Sequence, residues 1–296
     1  MPPRIETLVQ HIGSLPSLPM VLLRVGELLN DPRTSAMNLS RVILEDQALT
    51  GRLLRLVNSA FYGFPRRIAT ITEVLNILGF YQVRNLLLSV TVMDLLESEE
   101  AAEFSPVRLW EHSVGTAVAA GLLARQLCPE DREELFVAGL LHDVGKLVEF
   151  QFIRKEFLKV VAVAQAEDLP FRAAEQVVLG FSHDRVGSLL ANQWKLPIRL
   201  AEAIAYHHRP DLAQVAKREA TIVHLADILC HALGIVPGGD DGVPPLDPDA
   251  GQRLRFPLTM LEPLIGELET QYEVARGLLL TNRNPRPKRA EQFANA

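Results

Sequence analysis

The string with the most chemistry in it is Leu140-Leu141-His142-Asp143-Val144-Gly145-Lys146. An imidazole and a carboxylate side by side can reach one cation if the helix carrying them ends there, because the break lets adjacent side chains converge. On its own the dipeptide is weak evidence, more often a surface or capping feature than a ligand pair. Its company changes that reading. Upstream stands His112, in Trp110-Glu111-His112-Ser113; downstream come His183 in Gly180-Phe181-Ser182-His183-Asp184, the doublet His207-His208 before Arg209-Pro210, and Asp227 in His224-Leu225-Ala226-Asp227. Each lies on or beside an apolar segment. Polar rings and carboxylates turned toward a core lose their hydration, and a bound cation compensates that loss; the alternative is a buried polar network without metal.

The elements that must position these residues are helices. Apolar residues recur at helical spacing in Val21, Leu22, Val25, Leu28 and Leu29, and again in Ile43, Leu49, Leu53, Leu54, Leu56 and Val57. Punctuation agrees: Asp31-Pro32 ends one helix, Asp46 caps the next, Gly79 closes the run from Ile71, and Pro197 opens another. The expected fold is all-α. Residues 1–104 form an amino-terminal helical half, with Glu97 to Glu103 and Ser105-Pro106 at the junction. Residues 105–235 form a helical bundle holding seven of the eight histidines. Residues 236–280 comprise a Pro/Gly/Asp-rich loop and a last amphipathic helix, about Leu258 to Leu279, and 281–296 a polar tail expected to be disordered.

Bulk properties bound the function. In 296 residues, 48% hydrophobic and 22% charged, there is ample material for a core. A net charge of −6 supplies none of the positive field that non-specific nucleic-acid binding needs. The two cysteines, Cys128 and Cys230, sit in apolar helical segments and read as reduced core thiols. The amino terminus lacks a secretory layout, and the longest apolar run, Leu86 to Leu96, is broken by Asp94 and too short for a membrane span. The expected location is the cytoplasm.

The order His, His-Asp, His, His-His, Asp resembles the metal-binding signature of the HD superfamily, in the extended form of HD-GYP and some HDOD domains. The amino-terminal half resembles HDOD: Leu15-Pro16-Ser17-Leu18-Pro19, Asp46 with Leu49, Leu54 to Gly63, and Ile71 to Gly79, joined later by Gly180 to Gly187 and Trp194-Lys195-Leu196-Pro197. The resemblance covers about residues 7–235. It implies metal ligation by His112, His142, Asp143, His183, His207, His208 and Asp227, with Asp143 bridging two divalent transition-metal ions. It implies for Lys146 contact with an attacking water or a phosphate oxygen. Imidazole and carboxylate ligands without thiolate suit iron or manganese first, then zinc or nickel, and a two-metal site can activate water for phosphoester attack.

Two departures narrow what carries over. Arg209-Pro210-Asp211-Leu212 lacks the Gly-Tyr-Pro element, so cyclic di-GMP specificity is not inherited. Arg108, one turn before His112, stands where three-metal relatives place a carboxylate, and a guanidinium cannot ligate a cation. The first reading is therefore a metal-binding signal-transduction module of HDOD type that meets a protein partner in trans, since no receiver, cyclase or membrane domain is fused to it. The second, of another class, is a metal-dependent phosphohydrolase acting on a nucleotide or phosphoester. His224 and His231, three before and four after Asp227, are expected to be ordinary helix residues, and His11 to face solvent. Asn58 to Gly63 reads as a helix end, with Asn58 capping and Gly63 turning the chain. Arg52, Arg55, Arg66, Arg67 and Arg84 read as solvated helix faces rather than a positive patch.

Overall fold

The computed structural model describes residues 5, 8, 20–29, 31–59, 62–95, 101–237, 239–240 and 242–280. Among them the regular elements are helices, with one isolated antiparallel bridge between Ala101 and Phe104 and no strand. His11 and the tail 281–296 lie outside the described residues.

The first block comprises α1 (Met20–Leu29), α2 (Ala36–Leu44), α3 (Gln47–Val57), α4 (Ile71–Leu78) and α5 (Phe80–Leu95). Their starts are set by side chains that satisfy first-turn amides: Ser35 accepts from Asn38 N, Asp46 from Leu49 N and Thr70 from Glu73 N. Gly79 ends α4 at φ +83°, a conformation that a side chain disfavours. Val25, Ile43, Leu53, Val57, Val74 and Leu87 fill the block's core.

The second block is built around α6 (Pro106–Leu127), opened by Ser105 and Pro106. Its sequence Gly115 to Gly121 is nearly all small, so neighbouring helices approach closely. α7 (Arg132–Leu141) and α13 (Lys217–Ala232) pack against it, and around these lie α8 (Val144–Phe152), α9 (Arg154–Glu167), α10 (Phe171–Val178), α11 (His183–Gln193) and α12 (Ile198–Tyr206). The short α14 (Ala250–Leu254) packs on α13, and α15 (Leu261–Leu280), entered through a 3-10 turn at Leu258–Met260, lies along α6. Arg125 grips Glu267 with two bonds of 2.6 Å, and Arg276 reaches Glu111 at 2.8 Å. The blocks meet where α5 packs on α7 and α15 on α3, and where Arg84 donates to Trp194 O at 2.8 Å. No described helix is long and apolar enough to cross a membrane.

Two glycines set the spacing that the chemistry needs. A Cβ on Gly139 would lie 2.7 Å from Thr116 O, and one on Gly145 would lie 2.0 Å from His183 O. The His142-Asp143 junction is thereby pressed onto α6 from one side and onto the start of α11 from the other. Gly145→Ala must push α8 and α11 apart. A loss of at least about 2 kcal/mol in urea denaturation is expected, since both neighbours are backbone and cannot yield as a flexible side chain would.

Candidate metal centre

Each residue of the predicted set arrives from a place where a helix begins, ends or is packed at close range. His112 projects from the second turn of α6. His142 and Asp143 form the junction between α7 and α8. His183 is the first residue of α11, His207 and His208 follow the last turn of α12, and Asp227 lies within α13. The structure brings all seven together. One group of converging ligand atoms is Asp143, His183, His207 and His208, a second is His112, His142 and Asp143, and a third is His112, Asp227 and His231. Asp143 belongs to the first two and His112 to the last two.

Backbone carbonyls fix the ring protons. Nδ1 of His112 lies 2.7 Å from Ile235 O, Nδ1 of His142 lies 2.7 Å from Gly139 O, and Nδ1 of His207 lies 2.8 Å from Ile204 O. A carbonyl only accepts, so each Nδ1 carries the proton and each Nε2 is turned inward. Burial holds His142 and His207 neutral, whereas on His112 burial is outweighed by Asp227, 3.1 Å from Nε2, which raises the imidazole's pKa. The Nε2 atoms of His112 and His142 face each other at 3.3 Å. His207 Nε2, Asp227 Oδ1 and both oxygens of Asp143 are buried without a hydrogen-bond partner of acceptable geometry. Asp143 is instead surrounded by charge and lone pairs, with Lys146 Nζ at 2.8 Å and His183 Nε2 at 3.2 Å. Inward-turned imidazole nitrogens beside orphaned carboxylate oxygens make a donor set that could hold cations.

His183 is held differently. Glu175 of α10 accepts from both its backbone N, at 3.2 Å, and its Nδ1, at 2.8 Å, leaving Nε2 directed at Asp143 and, 2.9 Å away, at His208 Nε2. A carboxylate behind a ligand imidazole orients the ring and raises its basicity. Glu149 of α8 is fully buried beside Glu175, and burial followed by that neighbour drives its carboxyl well above the ordinary range, so it stays protonated. Asp184 is turned away from the centre, bonded by Ser182 and by Arg172 at 3.1 Å.

Lys146 is buried and makes two ion pairs, with Asp143 Oδ2 at 2.8 Å and Asp240 Oδ2 at 2.7 Å, and its Nζ stands 5.1 Å from the centre of the Phe171 ring. Burial alone would strip its proton; Asp143 and Asp240 outweigh that and hold the ammonium charged. Burial opposes ionisation of Asp143 and Asp227 as well, yet Lys146 and the facing imidazoles keep the first, and His112 and its neighbours the second, well below the usual carboxylate range.

Sequence reasoning missed three participants. His231, expected to be an ordinary helix residue, has Nε2 3.4 Å from Asp227 Oδ1, packs edge-on to His112 at 4.9 Å between centroids, and leaves Nδ1 buried without a partner. Its i+4 spacing from Asp227 was the available signal. Glu175 and Asp240 carried none, one lying across a turn from His183 and the other in an aperiodic loop. His224 is structural, as expected: Nδ1 donates to His207 O at 2.7 Å and Nε2 accepts from Asp247 N at 2.9 Å, which ties the loop to the doublet. Arg108 is exposed on α6. The segment after the doublet forms a 3-10 turn at Pro210–Leu212, followed by three amides, of Gln214, Val215 and Ala216, that donate to Glu202. A cavity of about 290 Å³ opens toward the centre, lined by Phe171, Arg172, His208, Arg209 and Asp240 among others.

Comparison with known proteins follows the same lines. The HDOD domain model matches residues 15–210. An HDOD domain protein of unknown function from Geobacter sulfurreducens superimposes with a TM-score of 0.70 at 29% identity, covering 92% of this chain and 96% of that one. A provisionally named phosphohydrolase of Shewanella amazonensis gives 0.71 at 22% identity over 92% and 97% of the two chains. A Marinobacter aquaeolei protein provisionally named for signal transduction gives 0.69 at 21%, over 94% and 62%. At those two identities the likeness shows the fold. The chain spans 39% and 16% of the lengths of the curated relatives it matches.

Acid should loosen the centre even without an ion. Burial first, then His142 and His183, push the His207 pKa down to about 3, from 6.5 in a free imidazole. Between those values the unfolded chain binds the extra proton, so stability falls as pH drops below about 6.5. His183 works in the opposite window: burial lowers it, but Glu175 and Asp143 prevail and carry it up to about 10, so its contribution is complete below pH 6.5 and fades as pH rises toward 10. Chelator-treated protein should thus be about 1–2 kcal/mol less stable to urea at pH 5 than at pH 7. His207→Gln should flatten that slope.

Proposed function

The chain belongs to the HDOD family, and we propose that within it the protein acts as a metal-stabilised signalling module that works by contact with a protein partner in trans. The observation that carries this is the state of Lys146. The one ammonium in the centre is buried and already paired with two carboxylates, Asp143 and Asp240, leaving it poorly placed to meet phosphoryl oxygens. The ligands His112, His142, His183 and His207 are fully buried, as a structural centre requires.

Two divalent ions, iron or manganese before zinc or nickel, suit the donor set. Asp143 is the side chain common to two of the ligand groups, and the ammonium of Lys146 neutralises only Asp143 and Asp240, while Asp227 lies against His112 and His231 and Glu175 against His183. His183, His207 and His208 would hold one ion, and His112 and His142, with Asp227, the other; His231 adds a donor beside Asp227. When bound, such ions supply Lewis acidity and a more acidic water. The protein's own part is to fix the ring protons through Ile235, Gly139 and Ile204 and to exclude bulk water.

The second reading, a metal-dependent phosphohydrolase, is favoured by the cavity that ends at His208, since Arg172 and Arg209 on its wall suit an anionic substrate. Its size, about 290 Å³, fits a terminal phosphate group better than a cyclic dinucleotide. Arg172 would hold such a group through donors left over from Asp184.

Protein purified without added metal should carry about two equivalents of transition metal, and Asp143→Ala should lose most of both, because a carboxylate common to two sites serves both. Folded protein that is metal-free and takes up no metal on reconstitution would end the proposal.

A panel of phosphomonoesters, phosphodiesters, nucleotides and cyclic di-GMP, assayed with manganese or iron, separates the two readings. No turnover above background is expected. The hydrolase reading requires metal-dependent turnover that falls by about 10²-fold or more in Lys146→Met while bound metal is retained.

A further inference from the structure

The carboxy-terminal end of α3 and the segment 63–69 enclose a groove of about 1050 Å³ on the first block, lined by Arg55, Asn58, Ser59, Phe64, Arg66 and Arg67 among others. We propose that this groove binds a nucleotide, with its phosphates on Arg55 and Arg67 and its base against Phe64. The inference does not rest on the metal centre.

Three guanidinium groups line the groove and, among the described residues, no acidic side chain does. Arg66 is paired with Glu73. Among the described residues Arg55 and Arg67 have no carboxylate partner, although the chain as a whole is acidic with a net charge of −6. Two guanidinium groups lining one groove without a described counter-charge favour an anion, and the planar fork of arginine suits phosphate oxygens. At the inner end, Ser59 is 3% exposed and its hydroxyl has no hydrogen-bond partner. A hydroxyl buried in that state needs an acceptor, and a phosphate oxygen entering the groove supplies one.

The groove is already formed. Asn58 donates to Leu54 O at 2.7 Å and Ile68 O at 2.8 Å, and accepts from Ile68 N at 2.8 Å, so one amide staples the two walls together. Gly63 makes the turn between them at φ +59°. A site that need not reorganise loses little of its binding energy to ordering.

The aromatic side argues for a ring-bearing ligand. Phe64 is half-buried and stacks on Tyr62, centroids 5.8 Å apart with planes 14° from parallel, and Tyr62 packs on Phe136 of α7. A ring held by a neighbour is a firm stacking surface for a base. The groove's volume suits a nucleotide and exceeds what phosphate alone requires.

The test is calorimetric titration of the full chain with ATP, GTP, inorganic pyrophosphate and a polyglutamate peptide. A nucleotide should bind, and the Arg55→Glu/Arg67→Glu double variant should weaken it at least about tenfold through the lost charge-assisted contacts. Arg67→Glu alone, at an exposed position, gives the same direction if the double variant folds poorly. Phe64→Leu should weaken the nucleotide and leave pyrophosphate unchanged. Arg209→Glu, on the wall of the metal-centre cavity, reports on anion binding at that second site, and the nucleotide affinity lost in the Arg55 and Arg67 variants should be kept in it. The proposal falls if neither nucleotide binds at about 1 mM, the weak end of specific affinity. It falls equally if pyrophosphate or polyglutamate binds as tightly as the nucleotide, or if Arg209→Glu weakens the nucleotide and the reversals at 55 and 67 do not.

Discussion

Imidazole nitrogens and carboxylate oxygens crowd one another in the interior of this protein, and the rest of the structure is arranged around them. Carbonyls of Ile235, Gly139 and Ile204 take the Nδ1 protons of three imidazoles, which leaves Nε2 of His112 and His142 opposed at 3.3 Å. Each carbonyl is part of the scaffold: two lie one turn before their histidine, at the ends of α7 and α12, and the third begins the loop after α13. The tautomers are consequences of helix ends. Small residues along α6 and glycines at 139 and 145 permit the close approach, and any substitution that widens these gaps also separates the opposed nitrogens.

Lys146 and Asp240 belong to the same balance. A lysine three residues after Asp143 would, unpaired, add a cation to a place already suited to cations. Asp240 removes that conflict by neutralising it from the loop side, and the loop is tied down in turn by Asp247, whose amide meets His224 and whose carboxylate meets Arg253 at 3.1 Å. The part of the chain beyond residue 210, outside the HDOD match, thus contributes Asp227, His231 and Asp240 to the centre.

Helical periodicity and punctuation were legible in the sequence because they are local: Asp46, Thr70, Ser105 and Gly79 act within a turn of themselves. The seven clustered residues were legible because imidazoles and carboxylates on apolar segments are rare without a partner. His231 and His224 could not be told apart by spacing, since both lie within a turn of Asp227. Only tertiary contacts separate them, His224 being satisfied by His207 O and Asp247 N and His231 not. Glu175, Glu149 and Asp240 were invisible for a related reason, as their role is defined by what another segment places beside them. Arg67 is exposed and Arg55 half-buried, which the reading as solvated helix faces allows, and their place on one groove depends on the turn at Gly63.

The bond from His112 to Ile235 joins positions 123 residues apart. A chain emerging from the ribosome exposes α6 and the His142-Asp143 junction long before α13 and its loop exist, and closing so long a segment is entropically slow. Until then His112 lacks the carbonyl that sets its proton and Lys146 lacks Asp240. An early ion would meet only a partial and adjustable set of donors, where the intrinsic affinity order of metals rules over geometry. The donor set that could hold a cation is therefore complete only in the finished fold, once α13 and the loop after it are in place.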